Sequence, residues 1–224
     1  MKPKRFIKFF FIFELRIPLC SFKQQMSIFK KILSRLTSSG YNKDEEVSKY
    51  LPEKEIPVDE QFTHNFKVNG GKFLYCENTE ELEENFISIL QENDWFEIGA
   101  LTFEKSLQHF LIENKLVYKN PIDPVFFLTN CEGLIAQDGS ILFSSKQLLH
   151  YKTNELPKNI IVVAKTSQIT RSKSDGLRNI KIRYANEIPT NITTMQHFKE
   201  STGDDFLQYG IQAKNFYLLL LEDF

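Results

Sequence analysis

Apolar and polar positions along this chain repeat in two ways, one helical and one extended. Asn78, with Glu81 three residues on, reads as a helix start, after which Leu82, Phe86, Ile89 and Leu90 line one face. A second amphipathic helix is predicted from Glu104 to Lys115, with Leu107, Phe110 and Leu111 at its core. Around these lie short apolar runs. KFLYC (72–76) follows the turn residues Asn69-Gly70-Gly71, and 95–101, VFFLT (125–129), SILF (140–143) and IIVVA (160–164) come after it. Their length and β-branched content predict strands, and their nearly continuous apolar character predicts cover on both faces. FYLLLL (216–221) reads as a buried strand or a short core helix, and 166–186 as a polar helix weakened by Gly176 and Asn179. Such alternation predicts an α/β fold, layered, with a mostly parallel sheet and flanking helices. Ligands of such sheets sit beyond the carboxyl ends of the strands, which singles out the loops after Thr129 and Ala164.

The start of the chain follows a different pattern. Residues 1–25 are basic and Phe-rich, but Lys8, Glu14 and Arg16 interrupt the apolar run and no small-residue cleavage site follows. The run is also far shorter than the roughly 20 residues that span a bilayer, so no transmembrane segment is predicted. From Met26, apolar Ile28, Phe29, Ile32, Leu33 and Leu36 share one face of a short helix, making Met26 the better natural start and 1–25 a doubtful extension. The other reading of 1–25 is a basic amphipathic anchor. Residues 38–60 are polar, with two prolines and no period, and read as a linker. The expected organisation is therefore 1–25 as extension, 26–60 as short helix and linker, and 61–224 as the folded domain.

Composition narrows the classes without choosing among them. The chain has 224 residues, 25% charged and 42% hydrophobic, enough for one sizeable core, and its net charge of -1 gives no field that would gather nucleic acid. Six basic residues against one acidic in the first 25 leave the remainder at about -6. Cys20, Cys76 and Cys131 lie far apart with no CxxC or Cys/His set, which argues against a metal or iron-sulfur site held by this chain and fits a reducing, cytoplasmic setting.

The richest segment for chemistry is TNCEGLIAQDGSILF (129–143). Gly133 and Gly139 permit turns or close approach, and Asn130, Glu132, Asp138 and Ser140 supply donors and acceptors. On turn chemistry alone, Asp138-Gly139 is the tip of a hairpin. His197 has no evident Ser or Cys partner, and Cys131 without an adjacent His reads as a buried structural thiol. Glu80, Glu81, Glu83 and Glu84 read as the solvated face and favourable first turn of their helix.

Ile135-Ala136-Gln137-Asp138-Gly139-Ser140-Ile141 resembles the LUD family's I-A-E-T-G-S/T segment between two strands. The resemblance continues in Leu156-Pro157-Lys158-Asn159-Ile160-Ile161-Val162-Val163, in Ser167-Gln168-Ile169 and, upstream, in VNGGKF (68–73), and covers roughly 61–224. It implies a NagB/RpiA/CoA-transferase-like fold and a link, as in lactate-utilisation protein C, to lactate oxidation with iron-sulfur partner subunits. Three departures stand out. Gln137 and Asp138 replace the family's Glu and Thr, and Asn159 replaces its His. The family's late T-G-P-S-x-T-x-D-I-E segment is missing, with Thr193 to Phe198 and a polar insertion, 199–208, in its place.

Three functional readings follow. The first is an accessory or ligand-binding component of lactate utilisation, non-redox on its own and without a cofactor, taking a small carboxylate or phosphorylated metabolite at Asn130, Glu132, Asp138, Gly139, Ser140, Lys165 and Gln168. The second is an enzyme acting on a small anionic metabolite, with Glu132 or Asp138 as base and Lys165 or Arg171 holding the anion. The third is an interaction module using 38–60 and 199–208.

Overall fold

The computed structural model describes residues 56–119, 121–196, 198 and 215–223, all within one unit spanning 54–224. The helix expected from Met26, the readings of 1–25, His197 and the 199–208 insertion lie outside the described residues.

The first described element is helix α1, Val58–Val68, which places Phe62 and Phe66 in the core. It begins three residues before the expected domain start at Gln61. The misleading feature is its first turn, where Asp59 and Glu60 favour the positive end of the helix dipole yet look like linker composition. Strand β1, Lys72–Cys76, and helix α2, Thr79–Asn93, fall where the sequence places them. Asn78 accepts from the Glu81 backbone N–H at 2.8 Å, but the Glu81 carboxylate caps the Glu77 N–H (2.7 Å), one residue earlier than a capping box requires.

The strand expected over 95–101 shrinks to β2, Ala100–Leu101. Glu97 breaks the extended run at φ 57°, and Trp95 stacks on Phe126 with centroids 5.2 Å apart, so the apolar run there records core packing. A 3-10 turn, Lys105–Leu107, leads into α3, Gln108–Glu113, which buries Phe110 and Leu111. Strands β3, Phe126–Asn130, and β4, Gly133–Ile135, precede β5, Ser140–Phe143, and the short helix α4, Ser145–Leu148. Next come β6, Asn159–Lys165, and β7, Ile169–Thr170. Helix α5, Lys173–Arg183, β8, Thr193–Met195, and β9, Asn215–Leu221, complete the order.

Five strands form a wholly parallel sheet in the order β1-β9-β6-β3-β2. FYLLLL is thus a near-central strand. Phe216, Leu218 and Leu220 enter one core cluster, while Tyr217 and Leu219 enter the other, beneath α2 and α3. A run apolar at every position is what burial on both faces demands.

SILF does not join that sheet. It is β5 of a second sheet, β7-β4-β5-β8, in which β5 runs antiparallel to both neighbours. One face of this sheet, with Leu134, Ile141 and Phe143, shares a core with the parallel sheet and α1, and the other presents Ile135 and Leu142 to Ile180 of α5. Gly176 lets α5 seat closely, since a Cβ there would lie 2.6 Å from Leu142 Cδ1 and 2.9 Å from Ile135 Cδ1. The residue that weakens the helix on propensity is the one that lets it dock.

Candidate functional site

At the carboxyl end of β3 the chain turns from the parallel sheet into the second sheet through Asn130, Cys131 and Glu132. The Glu132 side chain is fully buried. Its Oε2 pairs with Arg183 Nη1 at 3.0 Å, and its Oε1 accepts from Ser144 Oγ (2.8 Å), Gln147 Nε2 (3.0 Å) and Tyr184 OH (3.2 Å). This fully hydrogen-bonded carboxylate ties α5 and α4 to the loop, which is how a buried charge is tolerated. Burial, then the neighbouring Glu132 charge, pushes the Tyr184 hydroxyl up.

Asn130 behaves differently. Its side chain hydrogen-bonds the Glu104 carboxylate, yet its own Oδ1 is buried without a partner. Glu104, from the loop after β2, has its carboxyl pushed above the ordinary range by burial first and by the charge of Glu132 second, against the Asn130 hydrogen bond. A carboxyl inclined to hold its proton, an unpaired amide oxygen and a buried carboxylate therefore meet at one strand end, able to exchange hydrogen bonds or a proton with a small ligand. The Cys131 thiol beside them is pushed up by burial and then by Glu132, consistent with the inert structural role expected of it.

Asp138, Gly139 and Ser140 lie beyond the opposite end of β4. Asp138 Oδ1 accepts from the Ser140 backbone N–H (3.1 Å) and from the Ser140 hydroxyl, and Oδ2 pairs with Lys173 at 2.8 Å. Burial alone would raise the Asp138 carboxyl; Lys173 and the Ser140 donors outweigh it and hold the group below its usual range. Asn65 Nδ2 of α1 donates to the carbonyls of Ala136 (2.8 Å) and Gln137 (3.2 Å), and Asn69 Nδ2 to that of Asp138 (2.7 Å). The expected hairpin tip is present, and its backbone acceptors are occupied in fastening α1 to the second sheet.

Lys165 is the last residue of β6, and Gln168 lies three residues beyond it. Gln168 Oε1 accepts from the Lys165 backbone N–H (2.7 Å) and its Nε2 donates to the Cys131 carbonyl (2.7 Å), linking the ends of β6 and β3. Lys165 Nζ lies 3.9 Å from Asp223 Oδ2. Both candidate bases of the enzyme reading are engaged in ion pairs, Glu132 with Arg183 and Asp138 with Lys173.

Glu104 and Asp138 act oppositely on stability. Glu104 ionises near 4.5 when unfolded and at higher pH when folded, so its contribution is present below the ordinary value and lost as pH rises through the raised one. Asp138 contributes above its ordinary 3.8 and loses that contribution as pH falls through the depressed folded value. Glu104→Gln is therefore expected to raise the melting temperature relative to the parent at about pH 7 and not at about pH 4. A difference independent of pH in scanning calorimetry would contradict the assignment.

A depression of about 420 Å³ opens among Asp123, Val125, Leu156, Lys158 and Asn159, at the amino ends of β3 and β6 and thus at the wrong end of the sheet for the Asn130 cluster. The Asn159 amide is already engaged there, donating to the Val125 carbonyl (2.8 Å) and accepting from Asn215 (3.2 Å), so the polar groups at the carboxyl ends carry more weight. Among the described residues no group of three or more His, Cys, Asp or Glu could hold a metal ion, and no helix is long and apolar enough to cross a membrane.

Sequence reasoning missed Glu104, Ser144, Gln147, Lys173, Arg183, Tyr184, Asn65 and Asn69. Ser144 and Gln147 carry a local signal as a capping box, and Asn69 as a turn residue; Asn65, Lys173, Arg183 and Tyr184 become partners through the docking of α1 and α5, and Glu104 through the packing of the loop after β2 against the end of β3.

The model of the LUD domain family matches residues 123–221. A DUF162 family protein from Deinococcus radiodurans, known from a crystal structure, superposes with a TM-score of 0.52 at 12% identity, over 74% of this chain and 96% of its own. No curated protein matches the chain.

Proposed function

We propose, from the premise that this chain belongs to the LUD domain family through residues 123–221, that it is a ligand-binding accessory component of lactate utilisation, non-redox on its own. It would act in the cytoplasm beside iron-sulfur lactate-oxidase subunits, on a fold of the NagB/RpiA/CoA-transferase-like group. The observation that carries a ligand site is the buried, unpartnered Asn130 Oδ1 beside Glu104 at the carboxyl end of β3. A buried acceptor without a donor costs about 1–3 kcal/mol, and a ligand hydroxyl would supply the missing donor. Glu132, already saturated by four protein donors, acts as the support that fixes the loop.

Thermal shift of the full chain with L-lactate, other small hydroxy acids and sugar phosphates tests this. A rise with L-lactate that is lost in Asn130→Ala is the expected result, and no rise with any of these ligands sinks the reading. The isolated chain is further expected to show no lactate-dependent dye reduction, since it has neither a GxGxxG segment nor Cys spacings for a cluster.

The Glu104 carboxyl favours a second reading, an enzyme on a small anionic metabolite, because burial raises this carboxyl at a strand end, the direction in which a general acid is tuned. Lactate-dependent dye reduction by the isolated chain, abolished by Glu104→Gln, would promote it.

A further inference from the structure

We propose that the exposed face of α5 docks on the exposed face of α2 in a second copy of this chain, so that copies associate head to tail. The charge of the chain is nearly balanced as a whole, at -1, but not within these two helices. Helix α2 carries five glutamates and no Lys, Arg or His, whereas α5 carries four cations and one carboxylate, Asp175. The layers keep the two apart. Helices α2 and α3 cover one face of the parallel sheet, the second sheet covers the other, and Ile180 of α5 closes the far side of that second sheet. The acidic helix and the basic helix therefore lie on opposite outer layers, with almost no net charge to make copies repel.

Helical spacing sets what each face presents. Opposite the buried Leu82, Phe86 and Leu90, α2 turns Glu80, Glu84 and Ile87 outward, all exposed. Opposite Gly176 and Ile180, α5 turns out Arg178, Lys181 and Ile182, the last of them 65% exposed. Among the described residues none of these four charged side chains forms an ion pair, whereas Lys173 and Arg183 are engaged with Asp138 and Glu132. On each helix an isoleucine stands one turn from such a charge, Ile87 three residues after Glu84 and Ile182 four after Arg178. Laid crest to crest, Glu84 meets Arg178 where Ile87 meets Ile182, so an opposite-charge pair and an apolar contact form in one register. The apolar side of α5 is already buried against the second sheet, which leaves too little apolar face to enter a lipid surface. Because the two faces differ and lie on opposite sides, each docking leaves one α2 and one α5 uncovered, and the assembly grows as an open chain unless it closes into a ring.

The test is analytical ultracentrifugation of the full chain over a range of concentrations. At about 10 mM ionic strength, where charges act over about 30 Å, the weight-average mass should rise with concentration past twice the monomer value; at about 1 M, where they act over about 3 Å, it should return to that of a monomer. Glu84→Lys and Arg178→Glu, each alone, should weaken association at least about tenfold, because like charges then face each other. Mixed in equal amounts the two variants should regain it, since the reversed α2 of one meets the reversed α5 of the other. Both positions are exposed, so each variant should melt as the parent does. A monomer at every salt concentration, growth that stops at a dimer, or a mixture that stays dissociated would overturn the proposal. Association untouched by either substitution would overturn it by placing the contact elsewhere. Binding to vesicles containing phosphatidylserine without self-association, lost in Arg178→Glu, would make a lipid surface the occupant of α5 instead of a second copy. No residue of the β3 cluster takes part, so L-lactate binding and self-association can each fail without the other.

Discussion

Gly139→Ala is expected to lower the melting temperature by about 10 °C, nearly as much as Gly139→Val, because the first carbon of any side chain already does the damage. Gly139 has φ +66°, where an L-residue is strained by about 1–3 kcal/mol. A Cβ there would also lie 2.4 Å from both the Asn65 carbonyl carbon and the Phe66 nitrogen, which are backbone atoms of α1 and cannot rotate away. Overpacking of that kind adds about 1–3 kcal/mol, and each kcal/mol is worth about 2–4 °C in a domain of this size. The turn would have to lift from α1 and release the Asn65 and Asn69 hydrogen bonds. A mild loss for alanine with a severe one for valine in a calorimetric comparison would show that side-chain branching, not the approach of α1, is the constraint.

The second large effect belongs to Glu132→Ala. Removing this carboxylate leaves Ser144, Gln147, Tyr184 and Arg183 without their common acceptor. Breaking a buried pair costs about 3–5 kcal/mol; because Arg183 keeps 44% of its side chain exposed and can rehydrate, the expectation here is about 2–3 kcal/mol. Glu132→Gln keeps an acceptor of the same shape and should lose roughly half as much. The check is chemical denaturation of both variants with and without Arg183→Met. If Arg183→Met costs the same in the parent and in the Glu132→Gln background, the ion pair contributes nothing and the hydrogen bonds alone anchor α5.

These two residues show how differently the chain's parts could be read in advance. Gly139 was marked by turn chemistry, and the turn is there, but the reason it must be glycine lies about 70 residues away in α1. Glu132 was marked as a polar group at a strand end, and it is; its neighbours Arg183 and Tyr184 arrive on a helix that the sequence left ambiguous. Asp138 and Ser140 were grouped with Asn130 and Glu132 because they share a short segment, whereas β4 carries them to opposite ends of a small sheet. Lys165 was placed at a strand end and stands there, facing a carboxylate from beyond β9.

By itself the sequence determined whatever depends on local periodicity and local chemistry. That includes the α2 face with its Asn78 cap, the strands at 72–76, 125–129 and 160–164, the Asp138-Gly139 tip, and the α/β class that their alternation implies. Burial on both faces made FYLLLL uniformly apolar, which hid whether it was a strand or a helix until β1 and β6 took it between them. The separation of SILF into an antiparallel second sheet, the docking of α5 through Gly176, and the meeting of Glu104 with Asn130 were decided only by the tertiary structure. Each depends on contacts between segments far apart in the chain, whose direction and partner are set by how whole layers pack and leave no period in the residues that make them.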